Sequence, residues 1–371
     1  MPRFFQNIDW ALVGSATAIT LLGISSMYGF GGENQFAPRQ AVWLGAGLVV
    51  FFAASFIDWR FLRRTVSAAA VYAFAVLLLA FLFILGSAFQ GAQSWFNFGA
   101  FAFQPADPAK LALVIVLAKY FSRRHIEIAH MRHIVISGFY TAIIFILLFL
   151  QPDFGSAIIV AGIWVGVILL AGIPFRRLAL LALLGMVTFS FLWFFAFADY
   201  QKARIISFVH PRADIQGTGY NAFQSTVAVG SGGLLGKGFG YGTQSRLQFL
   251  PEHETDFIFA AFTEEWGMGG ALLLFFLFGV LLYRLVAHAR AGATNFETLF
   301  ILGIAMMIVV HGTIHIGMNI GLLPVTGVTL PFMSYGGSHI ITGFFMLGMV
   351  NAMRRYGRLV HEDTRHEVVG A

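Results

Sequence analysis

Apolar runs of about 17 to 30 residues recur along this chain of 371 residues, each closed by a charged or glycine-rich break. A helix needs roughly 20 residues to cross a hydrocarbon core. Backbone polar groups cannot be left unpaired in lipid, so the runs read as membrane-spanning helices. They fall at about 10–28, 41–57, 66–86, 107–121, 134–150, 156–173, 178–198, 257–287, 298–319 and 331–353. The expected fold is therefore an all-α integral membrane protein of about ten transmembrane helices. Composition agrees: 58% of residues are hydrophobic, 11% are charged and the mean hydropathy is +0.79, against about 25% charged residues in a soluble domain. The eighth span is long enough to tilt or to project beyond the bilayer.

The net charge of +6 does not point to nucleic acid, because the basic residues stand in short clusters beside apolar runs, the pattern of membrane orientation. With a cytoplasmic N-terminus, the cytoplasmic segments carry 16 of the 23 Lys and Arg residues, including Arg60, Arg63, Arg64, Arg123, Arg124, Arg176, Arg177, Arg354 and Arg355. Both termini are then cytoplasmic. MPRFFQNIDW leads into the first run without a small-residue cleavage site and reads as a retained signal anchor. The absence of cysteine excludes disulfides, thiolate metal sites and cysteine nucleophiles.

One connection, about 199–256, is too long to be a simple turn. On this topology it is external, and it holds Lys202, Arg204, Arg212, Lys237 and Arg246, with Arg39 the sixth external basic residue. Apolar stretches such as NAFQSTVAV alternate with nine glycines, which suits short interfacial or re-entrant helices joined by tight turns. No fixed-period repeat or linker divides the chain, so residues 1–371 read as a single polytopic domain.

Asp256, in LPEHETDFIFAAFTEEWG, stands where this loop meets an apolar helix. Partial desolvation there would make its carboxylate a better base, as deprotonating a hydroxyl requires. Thr255 or Asp256 could equally be the helix N-cap. Lys110 lies within the fourth span, where a lysine is costly and so a candidate for function; an ion pair with Asp107 three residues earlier is the structural alternative. Lys202, Arg204, Lys237 and Arg246 suit a phosphate or pyrophosphate ligand, or anionic lipid headgroups. GSGGLLGKG at 230–238 misses the phosphate-binding P-loop pattern at Ser231 and Gly238 and reads as glycine turns. His311 and His315 share a helix face without a third metal ligand, which favours interhelical hydrogen bonding.

Together YQKARIISFVHP, GTGYNAFQSTVAVGSGGLLGKGFGYGTQSRLQFLPEHETDFIFAAFTEEWG and GLLPVTGVTLPFMSYGGS resemble the SEDS (shape, elongation, division and sporulation) family over nearly the whole chain. GKGFGYGTQSRLQFLPE and EEWG look closer to its elongation-type members than to its division-type members. The resemblance implies a bacterial cytoplasmic-membrane glycosyltransferase that polymerises lipid II into peptidoglycan strands, with a class B penicillin-binding protein as transpeptidase partner and undecaprenyl pyrophosphate as leaving group. It implies a catalytic role for Asp256 and matches Trp95 in the first loop, Gln104, Pro105 and Lys110, and Arg204. Asp107 stands where the family usually has Glu, Pro108 is a further departure, and no role passes to His253 because His253 and Glu254 depart from the family order. The implied reaction inverts the anomeric centre, needs no organic cofactor and leaves room for a divalent cation at the pyrophosphate. A flippase for the lipid-linked precursor, with Lys110 and Asp153 on its path, and a non-catalytic scaffold for the penicillin-binding protein are the alternative readings.

Overall fold

The computed structural model describes residues 8–30, 35–89, 92–97, 102–123, 131–195, 197, 199–209, 219–247 and 249–369. Arg124 and Arg212 lie outside them. Seven helices come first: α1 (Trp10–Gly29), α2 (Phe36–Phe56), α3 (Thr65–Leu85), α4 (Ala106–Ser122), α5 (Met131–Leu150), α6 (Phe154–Leu170) and α7 (Phe175–Phe195). The long loop carries α8 (Asp199–Val209), α9 (Tyr220–Ser231) and α10 (Thr243–Arg246). It is followed by α11 (Ile258–Arg290), α12 (Asn295–Asn319) and α13 (Gly337–Val369). Each expected span is thus a helix. By length and hydropathy α1, α2, α3, α5, α11 and α12 can each cross a membrane, while α6 and the Ala179–Phe195 part of α7 are shorter apolar helices. Most of α4 is buried among its neighbours, which explains how it can carry both Asp107 and Lys110.

The helical fold class holds, with one addition and one shifted boundary. Between α3 and α4 the chain adds a small antiparallel sheet in the order β1-β2-β3, from β1 (Ser87–Phe89), β2 (Ala92–Asn97) and β3 (Ala102–Phe103). The last helix starts at Gly337, not near 331, because the segment before it needs left-handed backbone at Gly327, Phe332 and Gly336 (φ 73°, 65° and 156°).

Small residues let the helices approach closely, as membrane packing demands. A Cβ at Gly47 of α2 would lie 2.8 Å from Phe344 of α13, and one at Gly303 of α12 would lie 2.7 Å from Val114 of α4. At the start of α1, Asp9 Oδ1 accepts from the amides of Ala11 and Leu12. Its Oδ2 pairs with Arg284, lies 2.6 Å from His288 Nε2 and 3.4 Å from Arg354, and its amide donates to Asn351 Oδ1. Burial pushes this carboxyl up, but the His288 and Arg284 contacts outweigh it and hold it well below the usual range. One aspartate thereby ties α1 to α11 and α13.

The long eighth span is broken. At Gly267, φ 64° and ψ −162° place the backbone in a region that only glycine enters readily. Into the break fits the 232–238 loop: the amides of Met268 and Gly269 donate to the carbonyls of Gly233 and Leu234, and those of Lys237 and Gly238 donate to Glu264 and Glu265. Gly267→Ala would add a Cβ 2.8 Å from the Leu234 carbonyl carbon. We expect it to lower stability by about 1–3 kcal/mol from backbone strain alone, read as a lower thermal unfolding midpoint in detergent.

Candidate functional site

Helix α11 begins at Ile258, and Phe257 at the cap position has no side chain that could cap it. The N-cap reading of Thr255 and Asp256 is therefore wrong. Thr255 Oγ1 turns back to the Glu252 carbonyl, and Asn319 Oδ1 of α12 receives the early Ala260 amide at 3.1 Å. Asp256 is half-buried. The backbone that carries it is clamped at three successive carbonyls. Glu254 O accepts from the Tyr335 amide (2.8 Å), Thr255 O from Ser334 Oγ (2.8 Å) and Asp256 O from Asn319 Nδ2 (2.9 Å). Gly327 crosses in front of the carboxylate, and a Cβ there would stand 3.5 Å from Oδ2. Neighbouring Glu254 is pushed up by burial, with repulsion from Glu252 adding to it and a backbone hydrogen bond and His253 opposing it.

The segment across Asp256 is itself pinned. His315 Nδ1 lies 2.6 Å from Val328 O, and His311 Nδ1 lies 3.4 Å from Thr329 O, so the pair bonds the non-helical 328–329 segment and not, as expected, another helix. Among the described residues no three His, Asp or Glu side chains form a metal site. Gly155, at the start of α6, packs against Thr326 and Gly327, beside Asp153, whose Oδ1 caps α6 through the Ser156 amide. Asp153 Oδ2 meets Gln104 Nε2 at 3.5 Å. Asp256, the 326–329 segment, Asp153 and Gln104 thus belong to one connected assembly at the loop-bearing end of the bundle.

Lys110 lies deeper. Its ammonium is 3.1 Å from Asp107 Oδ1, both side chains are 4% exposed, and His339 Nδ1 is 3.4 Å from the same oxygen. These groups line a small cavity with His311, Met307, Thr342 and Met346. Asp107 Oδ2 is buried without a hydrogen-bond partner. The local ion pair weighed from the sequence is present, and it holds the Lys110 charge within the core.

The remaining candidates are dispersed. Lys237 Nζ binds buried Glu264 Oε1 at 2.6 Å and Thr243 Oγ1 at 2.8 Å. Arg246 is exposed, with Nη1 3.5 Å from Gly240 O. Lys202 is half-buried on α8; Arg204 belongs to the same helix, but its side chain lies outside the described set. Trp95 sits half-buried on β2, paired with Ser87. The P-loop-like stretch is built from glycine turns at Gly233, Gly236 and Gly238, and its amides bond α11.

The FtsW/RodA/SpoVE family profile, described as a cell cycle protein, matches residues 4–359. The chain belongs to the SEDS family. This SEDS chain is 35% identical over 359 residues to stage V sporulation protein E of Bacillus subtilis, covering 95% of the chain and 94% of that protein. It is 36% identical over 296 residues to the peptidoglycan glycosyltransferase MrdB of Escherichia coli, 79% of each chain. A chain from a peptidoglycan synthase complex, solved to show how polymerisation and crosslinking are coordinated, superposes with a TM-score of 0.81 at 32% identity, covering 94% of this chain and 98% of that one. This is a multi-pass membrane protein whose named relatives include peptidoglycan glycosyltransferases.

Three buried polar residues at this end of the bundle were not singled out in the sequence. Asn319 is fully buried and joins Asp256 O, His315 O, the Ala260 amide and Ser225 Oγ of α9. Glu264 accepts from Lys237, Thr243 and the Gln244 amide. Glu265 accepts from the Gly240 amide at 3.3 Å and lies 3.5 Å from Ser26 Oγ. The signals were their polarity within apolar runs and, for Glu264 and Glu265, their place in the EEWG stretch of the resemblance. Asn319→Ala strands several buried groups at about 1–3 kcal/mol each. We expect lower stability and a fall in turnover that exceeds any loss of substrate affinity, seen by comparing kcat with KM.

Proposed function

We propose that this protein is the glycan-strand polymerase of an elongation-type, RodA-like cell-wall synthase, joining lipid II units at the outer face of the bacterial cytoplasmic membrane, with both termini in the cytoplasm. The observation that carries the reading is Asp256, half-buried at the loop-bearing end of the bundle on a backbone clamped at three consecutive carbonyls, in a family with members named peptidoglycan glycosyltransferases. A base fixed in this way loses little orientation during reaction.

Asp256 takes the proton of a sugar hydroxyl on one lipid-linked disaccharide while that oxygen bonds to the anomeric carbon of another. The bond to undecaprenyl pyrophosphate breaks, the leaving group keeps the electron pair, and direct displacement inverts the anomeric centre. Glycosidases, which bracket a glycosidic bond with two carboxyl groups, differ in this respect. Lys110 and Arg204 are assigned to charge developing on the pyrophosphate, Lys202 and Arg246 to the approach of that anion, and Trp95 to the sugar-bearing side of the site. Lys237, already engaged by Glu264, supports the loop that bears Arg246. A divalent cation carried by the substrate would neutralise charge developing on the pyrophosphate. The partner is a class B penicillin-binding protein, a reading supported by the similarity to a chain of a synthase complex.

The flippase reading makes a different prediction in liposomes loaded with fluorescent lipid II. A polymerase with its partner yields strands without needing to move substrate between leaflets; a flippase exposes inner-leaflet lipid II to an external quencher and yields no strands.

A further inference from the structure

The glycine-rich loop that plugs the α11 break carries at its tip two leucines that none of the described residues covers. Leu234 is 76% exposed and Leu235 is 91% exposed. They are held rigidly, because the carbonyl of Leu234 accepts from Gly269 at 3.1 Å and that of Gly233 from Met268 at 2.9 Å. We propose that Leu234 and Leu235 form a wedge that inserts into the lipid leaflet at the loop-bearing face and seats the 232–246 region in the membrane.

Depth is the first argument. From Arg284, which pairs with Asp9 at the basic end of α11, to Gly267 the helix rises about 25 Å at 1.5 Å per residue. The hydrocarbon core is about 30 Å thick. The break, and the leucines bonded beside it, therefore lie at the far edge of the core and not in bulk water.

Continuity is the second. Met268, Leu272 and Phe276 follow one another at i, i+4 and i+8 on one face of α11, all exposed, as befits a surface that meets acyl chains. The leucines extend that apolar surface from the Met268–Gly269 turn. In the stretch that imitates a phosphate-binding loop, the Lys237 and Gly238 amides are thus spent on α11, and Leu234 and Leu235 are the side chains left for lipid.

Because the chain has no cysteine, Leu235→Cys in the full-length protein carries one thiol. The test labels it with an environment-sensitive fluorophore and reconstitutes it into phosphatidylcholine–phosphatidylglycerol vesicles containing nitroxide lipids. The proposal predicts blue-shifted emission, quenching by lipid nitroxides placed about 5–10 Å below the headgroups and protection from aqueous iodide. Quenching by iodide without response to nitroxide lipids overturns it, as does protection from both quenchers. Iodide access that is lost only when a transpeptidase partner is added also overturns it, by making the tip a protein dock.

Discussion

Asp256→Asn should polymerise lipid II about 100- to 10,000-fold more slowly than the wild type, the range that a positioned general base supplies. The amide keeps the size of the carboxylate but cannot take a proton. The clamp on Asp256 runs through main-chain carbonyls held by Tyr335, Ser334 and Asn319, so the substitution leaves the backbone anchored. Loss of activity should accordingly appear in kcat, with unchanged thermal unfolding and little change in lipid II binding. A variant equally active, or one whose loss matches a loss of folded protein, would remove Asp256 from the chemistry.

Lys110→Met should lower stability by about 3–5 kcal/mol, because it leaves the Asp107 carboxylate buried and without its ammonium partner. Asp107 Oδ2 already has no hydrogen-bond partner, and His339, 3.4 Å from Oδ1, is a poor substitute for an ammonium at 3.1 Å. Replacing both partners removes the stranded charge, so Lys110→Met combined with Asp107→Leu should recover most of the stability. The two roles of the lysine separate here. If Lys110 also meets the pyrophosphate, the double variant refolds to near wild-type stability and stays inactive. If activity returns with stability, the lysine is structural only. Unfolding midpoints and polymerisation rates on the same preparations give both readouts.

The spans were legible because a run of about 20 apolar residues has few other fates, and the Asp107–Lys110 pair because its partners are one helical turn apart. The sheet at 87–103 was not. Its strands are short, apolar and glycine-flanked, and periodicity cannot separate such a stretch from a helix end. Lys237 read as a free external cation, yet its partner Glu264 is 27 residues away, brought close only by the break at Gly267. Asn319 showed a polar residue near a helix end; that it clamps Asp256, 63 positions earlier, depends on how α12 packs against α11. The N-cap alternative for Asp256 failed for the same reason, since α11 takes its cap from another helix. Asp256 itself was found from its place at a loop-helix junction and from the resemblance, and the structure adds the rigid backbone beneath it.

The most direct test is a gel ladder of labelled lipid II incubated with the purified protein and its class B partner, wild type beside Asp256→Asn, with folding and partner binding verified for both. The account predicts glycan strands from the wild type and none above background from the variant. Equal ladders from the two, or no ladder from a folded, partner-bound wild type, would contradict it.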